Sequence, residues 1–115
     1  PQADEAIKQA TQDDPNERNY RIFEVPVSGI RENNQKIRYF DFISSLKNRD
    51  CNEALKRMVP RIHMDEIAAL VDDTPFITGL QKRFYKTMLT ERKERILDFS
   101  LTRLLKRERK REAAR

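Results

Sequence analysis

The last third of the sequence constrains the fold most. From Leu80 to Arg115 the chain contains neither glycine nor proline, the two residues that most disfavour a helix interior. Thr78 followed by Gln81 has the spacing of a capping box, which marks a helix start. The apolar residues recur there at helical spacing: Leu80, Phe84, Met88, Leu89, Ile96, Leu97, Leu101, Leu104 and Leu105. This pattern predicts one long helix from Thr78 to about Arg111, with its first half packed on other helices and its last turns in solvent.

Three shorter helices are expected between Tyr39 and Asp73. Each has an apolar face: Phe42, Ile43 and Leu46 in the first, Cys51, Leu55, Met58, Val59 and Ile62 in the second, and Ile67, Leu70 and Val71 in the third. Asp50, with Glu53 three residues later, is the predicted N-cap of the second helix. Pro60 should end that helix because it removes a backbone donor. A turn at Thr74-Pro75 should end the third.

The N-terminal part is expected to contain less helix. Residues 1–19 carry few apolar side chains, which predicts a mobile, largely irregular segment, with a short helix over Asp4–Thr11 as the alternative. Residues 20–38 alternate crudely between apolar and polar, which favours two extended pieces around a turn at Gly29 and Glu32–Gln35. The predicted hairpin pairs Val27–Arg31 with Lys36–Arg38. The predicted fold class is therefore mainly α, with a short β-hairpin near the N-terminus and one long C-terminal helix.

The basic charge is concentrated at one end of the chain. The net charge is +5, and residues 103–115 account for all of it with seven basic and two acidic residues. Cations at the end of a helix complement its dipole, so a solvated helix end is the favoured interpretation. The alternative is binding of nucleic acid or another acidic partner. The residues that would contact an anionic partner are Lys106, Arg107, Arg109, Lys110 and Arg111.

The remaining composition argues against several classes of protein. A single cysteine, Cys51, excludes an internal disulfide framework and a thiolate metal site built by this chain alone. It lies on an apolar stripe, so a small buried residue is its expected role. No apolar run approaches the length of a membrane span, and the N-terminus is not a signal peptide. A cytoplasmic location without membrane contact is predicted, with secretion by another route left open.

One short string has the look of a catalytic motif. His63-Met64-Asp65 reads H-x-D, the core of a kinase catalytic loop, but such a loop needs an asparagine five residues after the aspartate. Leu70 occupies that position. The sequence also lacks a metal-binding D-x-G and a glycine-rich phosphate loop. Asp65 and Glu66 are better explained as acidic residues in the first turn of a helix. The adjacent Asp72 and Asp73 are typical of a solvated helix end. We therefore predict no catalytic, cofactor-binding or metal-binding residue.

Several strings nevertheless resemble a known family. The segments "PQAD", "YFDFISSLKNRDCNEALKRMVPRI" and "IAALVDDTPFITGLQKRFYKTMLTERKERIL" resemble the C-terminal portion of HipA-like serine/threonine protein kinases, in particular the branch of the cell-translocating kinase CtkA. The resemblance covers Pro1 to about Arg103. It implies a bacterial kinase related to toxin–antitoxin systems, of which this chain would be a helical part of the C-lobe. Residues 1–38 would correspond to the activation segment, 39–105 to the closing helices, and 106–115 form a basic tail that does not align.

The resemblance places the chemistry outside this sequence. In the family the ATP-binding, catalytic-loop and metal-binding motifs precede the position of Pro1, so the parent kinase would use ATP and Mg²⁺ and this chain would hold neither. Its implied role is structural support of a catalytic core. The implied partner is the upstream kinase half, and the alternative is self-association of the chain. Five residues are predicted to face the missing core: Tyr20, Ile22, Phe23, Val25 and Val27. The alternative is a free-standing helical binding module that uses the basic tail.

We expect no ATP binding and no kinase activity from this chain alone. Phosphoryl transfer depends on positioning and charge stabilisation by motifs that the sequence lacks. Titration calorimetry with ATP and Mg²⁺ should give no saturable heat. A saturable, Mg²⁺-dependent signal that is lost in His63→Ala would contradict this and establish H-x-D as functional.

Overall fold

A computed structural model describes residues 14–25 and 27–114. Its elements, in chain order, are α1 (Pro15–Phe23), β1 (Arg31–Glu32), β2 (Gln35–Lys36), α2 (Tyr39–Ser45), α3 (Arg49–Met58), a 3₁₀ turn (Val59–Arg61), α4 (Met64–Asp73), α5 (Gly79–Arg92), a π-helical segment (Lys93–Asp98) and α6 (Phe99–Ala113). The predicted fold class is confirmed: the chain is mainly α, with a two-stranded antiparallel hairpin and a long helical C-terminal part.

The described residues form two compact units. The first unit combines residues 14–25 with 63–92, and the second combines 27–62 with 93–114. The N-terminal and C-terminal parts of the sequence therefore each contribute to both units. The division predicted from the sequence, into residues 1–38, 39–105 and 106–115, stays a prediction.

In the first unit, α1 lies against α5. Asp14 caps α1: its carboxylate accepts hydrogen bonds from the backbone N–H groups of Asn16 and Glu17, at 3.0 and 3.3 Å. The guanidinium of Arg92 on α5 donates to the backbone oxygen of Arg21 at 3.0 Å. Ile22 is completely buried. The two helices are thus joined by an apolar contact face and by polar contacts at its edge.

Helix α1 corrects two expectations from the sequence. Residues 15–19 are helical, so the prediction of an irregular segment is wrong for them. Tyr20 and Ile22 lie on the same helix, so the extended structure predicted there is also wrong. The signal that was misread is Asp14-Pro15, an N-cap followed by proline at the first helical position. The alternative helix at Asp4–Thr11 lies outside the described residues.

The junction of α4 and α5 follows the sequence signals closely. Helix α4 ends at Asp73, and the predicted turn at Thr74-Pro75 follows it. The predicted capping box is confirmed: Thr78 N donates to Gln81 Oε1 at 2.9 Å, and Gln81 N donates to Thr78 Oγ1 at 3.0 Å. Leu70 was expected to face inward, but it is 70% exposed.

The second unit begins with the hairpin. Arg31 pairs with Lys36 and Glu32 with Gln35, so the strands are shorter than predicted and do not include Val27. Asn33 and Asn34 both have positive φ, at 52° and 65°. A two-residue turn with positive φ at both positions suits the twist of the flanking strands, and asparagine tolerates this conformation.

The core of the second unit joins α2, α3 and α6. Its buried residues are Leu46, Leu55, Val59 and Leu104, with Ile43, Leu97 and Leu101 packed against them. Met58, predicted on the inner face of α3, is instead 57% exposed. Pro60 ends α3 as predicted, because the chain passes into the 3₁₀ turn there. The N-cap of α3 is Asn48, whose Oδ1 accepts from Cys51 N at 2.8 Å, and not Asp50.

The C-terminal helical stretch contains a feature that the sequence pattern did not indicate. A π-helical segment, Lys93–Asp98, lies between α5 and α6. Packing also extends further than predicted, because Leu104 is 1% exposed and Lys56 on α3 binds Glu108 at 2.9 Å. The last turns that project into solvent therefore begin after Glu108.

The cap of α3 can be tested by a pair of substitutions. Asn48→Ala should lower the free energy of unfolding by about 1 kcal/mol, because the N–H of Cys51 loses its acceptor. Asp50→Ala is the matched control and should cost less, since Asp50 contributes only its charge in the first turn. Urea unfolding followed by circular dichroism measures both. An equal or larger loss for Asp50→Ala would restore Asp50 as the cap.

Candidate functional site

The H-x-D string lies at the start of α4. His63 is exposed at the N-cap position of α4, and its side chain makes no capping hydrogen bond. Asp65 and Glu66 lie in the first turn of α4, as predicted. In the part of the chain that the structure describes, no three histidine, cysteine or acidic side chains group to hold a metal ion.

The other candidate residues from the sequence have structural roles. The carboxylate of Asp72 pairs with the Lys86 ammonium at 2.8 Å, and its backbone oxygen accepts from Lys82. Cys51 is half-buried and lines an apolar cleft of about 180 Å³ in the second unit. Burial raises the pKa of its thiol, which lowers the fraction of reactive thiolate.

The apolar residues predicted to face a missing core divide into two groups. Tyr20, Val25 and Val27 are exposed, at 57%, 40% and 74%. The prediction is wrong for Ile22, which is completely buried within the first unit. Phe23 is half-buried. Phe76 has a fully exposed ring and a φ of 67°. An aromatic residue with positive φ and no cover is unusual in a protein surface.

The basic tail is less uniform than its sequence suggests. Arg107 donates from Nη1 to the backbone oxygen of Leu46 at 3.1 Å, so this side chain holds α6 against the α2–α3 loop. Its neighbour Glu108 is also engaged, by Lys56. Lys106, Arg109, Lys110 and Arg111 are exposed and form no ion pair with another described residue. Four of the five predicted contact residues therefore stay accessible, and the fifth is structural.

A polar pocket of about 380 Å³ lies beside Arg107 in the second unit. Its lining residues are Leu46, Lys47, Arg49, Asn52, Glu53, Leu104, Arg107, Glu108 and Arg111. Sequence reasoning grouped Arg107 and Arg111 but missed Lys47, Arg49 and Asn52, which come from the α2–α3 loop and the first turn of α3. The signal that would have indicated them is the run "KNRDCN", with two cations beside a helix start.

Two acidic residues that line this pocket, Glu53 and Glu108, form an ion network with Lys56. Lys56 Nζ lies 3.0 Å from Glu53 Oε1 and 2.9 Å from Glu108 Oε1. The hydrogen bonds to Glu108 and Glu53 raise the pKa of Lys56. One ammonium thus offsets half of the negative charge of the two carboxylates, Glu53 and Glu108, at the pocket wall.

Comparison with known proteins shows what the chain is similar to. No family model matches it. It is 42% identical over 106 residues to the serine/threonine-protein kinase CtkA of Helicobacter pylori (strain J99 / ATCC 700824), a match that covers 91% of this chain and 33% of that protein. The chain is homologous to CtkA. A crystal structure described as the H. pylori proinflammatory kinase CtkA matches with a TM-score of 0.83 and 38% identity, over 90% of this chain and 35% of the other.

The chain therefore spans about a third of the length of the CtkA proteins that it matches. The match extends over both units, and at this identity it shows a common fold together with common descent. Helices in the described part of the chain lack the combination of length and hydrophobicity that a membrane span requires.

The structural role of Arg107 gives a direct prediction. Arg107→Ala should lower the free energy of unfolding by roughly 1.5–3 kcal/mol, because a charged donor to a backbone oxygen is lost. Lys110→Ala, on the exposed side of the same helix, should change it by less than about 0.5 kcal/mol. Thermal unfolding of both variants distinguishes them. Equal melting temperatures for Arg107→Ala and Lys110→Ala would show that the tail is a solvated helix end throughout.

Proposed function

We propose that this chain is the C-terminal helical part of a HipA-like serine/threonine protein kinase and supports a catalytic core that other residues supply. The observation that carries the proposal is the extent of the CtkA match: nearly all of this chain corresponds to only about a third of a kinase. A segment of that size in a kinase can hold one part of a lobe but not both the nucleotide site and the substrate site.

Exposed apolar residues support the proposal that this chain has a binding surface for another part of the kinase. Tyr20 and Val25, both in the first unit, are large apolar side chains exposed to water. Single exposed apolar residues are common, whereas two at neighbouring positions of one unit favour a binding surface. In this proposal they contact the upstream kinase half. Self-association through the same residues is the expected behaviour when that half is missing.

The chain transfers no phosphoryl group by itself in this proposal. ATP and Mg²⁺ would be bound by the upstream half, where the family carries its nucleotide, catalytic-loop and metal motifs. The contribution of this chain is to support the core, so that the core keeps the geometry that phosphoryl transfer requires.

Binding to the upstream half is the test of this function. Mixing the chain with the complementary two thirds of a CtkA-type kinase should raise its melting temperature, because a partner that binds only the folded state stabilises it by mass action. The double variant Tyr20→Ser/Val25→Ser should lose most of that rise. The control Arg109→Ala/Lys110→Ala should keep the partner affinity within about tenfold, a difference of 1.4 kcal/mol.

The free-standing binding module is the outcome that would replace this proposal. A monomeric chain that ignores the upstream half but binds duplex DNA at physiological salt would favour it, since Lys106, Arg109, Lys110 and Arg111 are exposed and without ion pairs among the described residues. Affinity of that origin should fall steeply as salt rises, because it depends on counterion release.

A further inference from the structure

The polar pocket of the second unit is lined by cationic side chains that are not neutralised by an ion pair with another described residue. Arg49 and Arg111 both line it, and neither guanidinium group forms a hydrogen bond or ion pair with another described residue. The two acidic residues of the wall, Glu53 and Glu108, are already bound to Lys56. Two guanidinium groups therefore remain available to an anion at one pocket.

A buried polar side chain at the pocket also lacks a partner. Asn52 is only 6% exposed, and its Nδ2 donates to the backbone oxygen of Leu46 at 2.9 Å. That carbonyl can only accept, which fixes the orientation of the amide and leaves Oδ1 as an acceptor without a donor. On the donor side, Arg107 Nε is buried and without an acceptor. A buried polar group without a hydrogen-bond partner costs free energy, unless a ligand or a water molecule supplies the missing hydrogen bond.

We propose that this pocket binds a phosphate-type oxoanion, either free or as a phosphate monoester, that still carries a proton. On binding, movement of the pocket side chains would uncover Arg107 Nε and Asn52 Oδ1. The charged oxygens of the anion would then accept from Arg49, Arg111 and Arg107 Nε, and its hydroxyl would donate to Asn52 Oδ1. A tetrahedral oxoanion with one O–H matches both unsatisfied atoms, whereas water offers no charge to the two arginines. The pocket, at about 380 Å³, is larger than a bare phosphate and leaves room for an ester substituent. This site goes beyond the proposed supporting role and does not depend on it.

Phosphate and sulfate provide a comparison that needs no variant. The two ions have the same shape, but at neutral pH inorganic phosphate keeps a proton and sulfate has none. Sulfate would place an unprotonated oxygen against Asn52 Oδ1. NMR or calorimetric titration of the 115-residue chain at matched ionic strength should give an affinity for phosphate at least roughly tenfold higher than for sulfate, a step of 1.4 kcal/mol. Equal affinities would overturn the proposal, because a simple cluster of cations does not distinguish them.

A matched pair of variants locates the site. Arg49→Gln/Arg111→Gln should weaken phosphate binding by roughly tenfold or more, since each removes a charge-assisted hydrogen bond. Arg109→Gln/Lys110→Gln removes the same charge from the exposed part of α6 and should leave it unchanged. If both pairs weaken binding equally, the interaction is diffuse attraction to the tail and the proposal fails.

Asn52 itself gives the sharpest readout. Asn52→Leu should reduce the phosphate-to-sulfate preference towards one, an effect that loss of stability alone would not produce, provided that circular dichroism shows a folded chain. If that variant unfolds, the phosphate-to-sulfate preference of the unaltered chain still decides between the outcomes.

O-phosphoserine distinguishes a phosphate monoester from free phosphate as the ligand. It is tested near pH 6, where its second ionisation is about half complete. Binding of phosphoserine as well as phosphate assigns a monoester, and binding of phosphate only assigns the free anion. No saturable binding of either overturns the proposal.

Discussion

The backbone carbonyl of Leu46 is the point on which the second unit depends. Leu46 ends α2 in a left-handed conformation, with φ at 61°, which a leucine adopts only when its surroundings hold it there. Its oxygen accepts from Asn52 Nδ2 on α3 and from Arg107 Nη1 on α6, while its side chain is part of the buried cluster with Leu55 and Leu104. One residue thus joins three helices through both its backbone and its side chain.

The π-helical segment imposes a second constraint on the same unit. Its hydrogen bonds run from i to i+5, so it shifts the phase of the helix face relative to a regular α-helix. Lys93 and Asp98 lie at its two ends and form an ion pair, with Nζ 3.0 and 2.9 Å from the two carboxylate oxygens. Ile96, within the segment, is buried. The shift therefore places Ile96 inside without requiring a glycine or proline to interrupt the helix.

Sequence reasoning succeeded where a local signal decides the structure and failed where packing does. The capping box at Thr78, the break at Pro60 and the turn at Thr74-Pro75 are local, and each was predicted. The cap of α3 was misplaced because Asn48 and Asp50 are both good caps, and only the path of the preceding loop selects between them. The π-helical segment left no trace in the sequence, since every residue in it also suits an α-helix. The pocket at Asn52 required residues far apart in sequence to be brought together by the fold.

The basic tail has a structural role and also contributes surface charge. These two roles can be tested separately, because different cations of the tail lie on different sides of α6. Arg107 faces the α2–α3 loop and contributes to folding, and Arg111, one turn later, lines the same pocket. Arg109 and Lys110 lie on other sides of α6, since adjacent positions on a helix point in different directions. A variant in which all five tail cations are replaced would lose fold stability and surface charge at the same time, and weaker binding by it could not be attributed to either. Replacing Arg109 and Lys110 alone changes the charge of the surface while the contact to Leu46 stays in place.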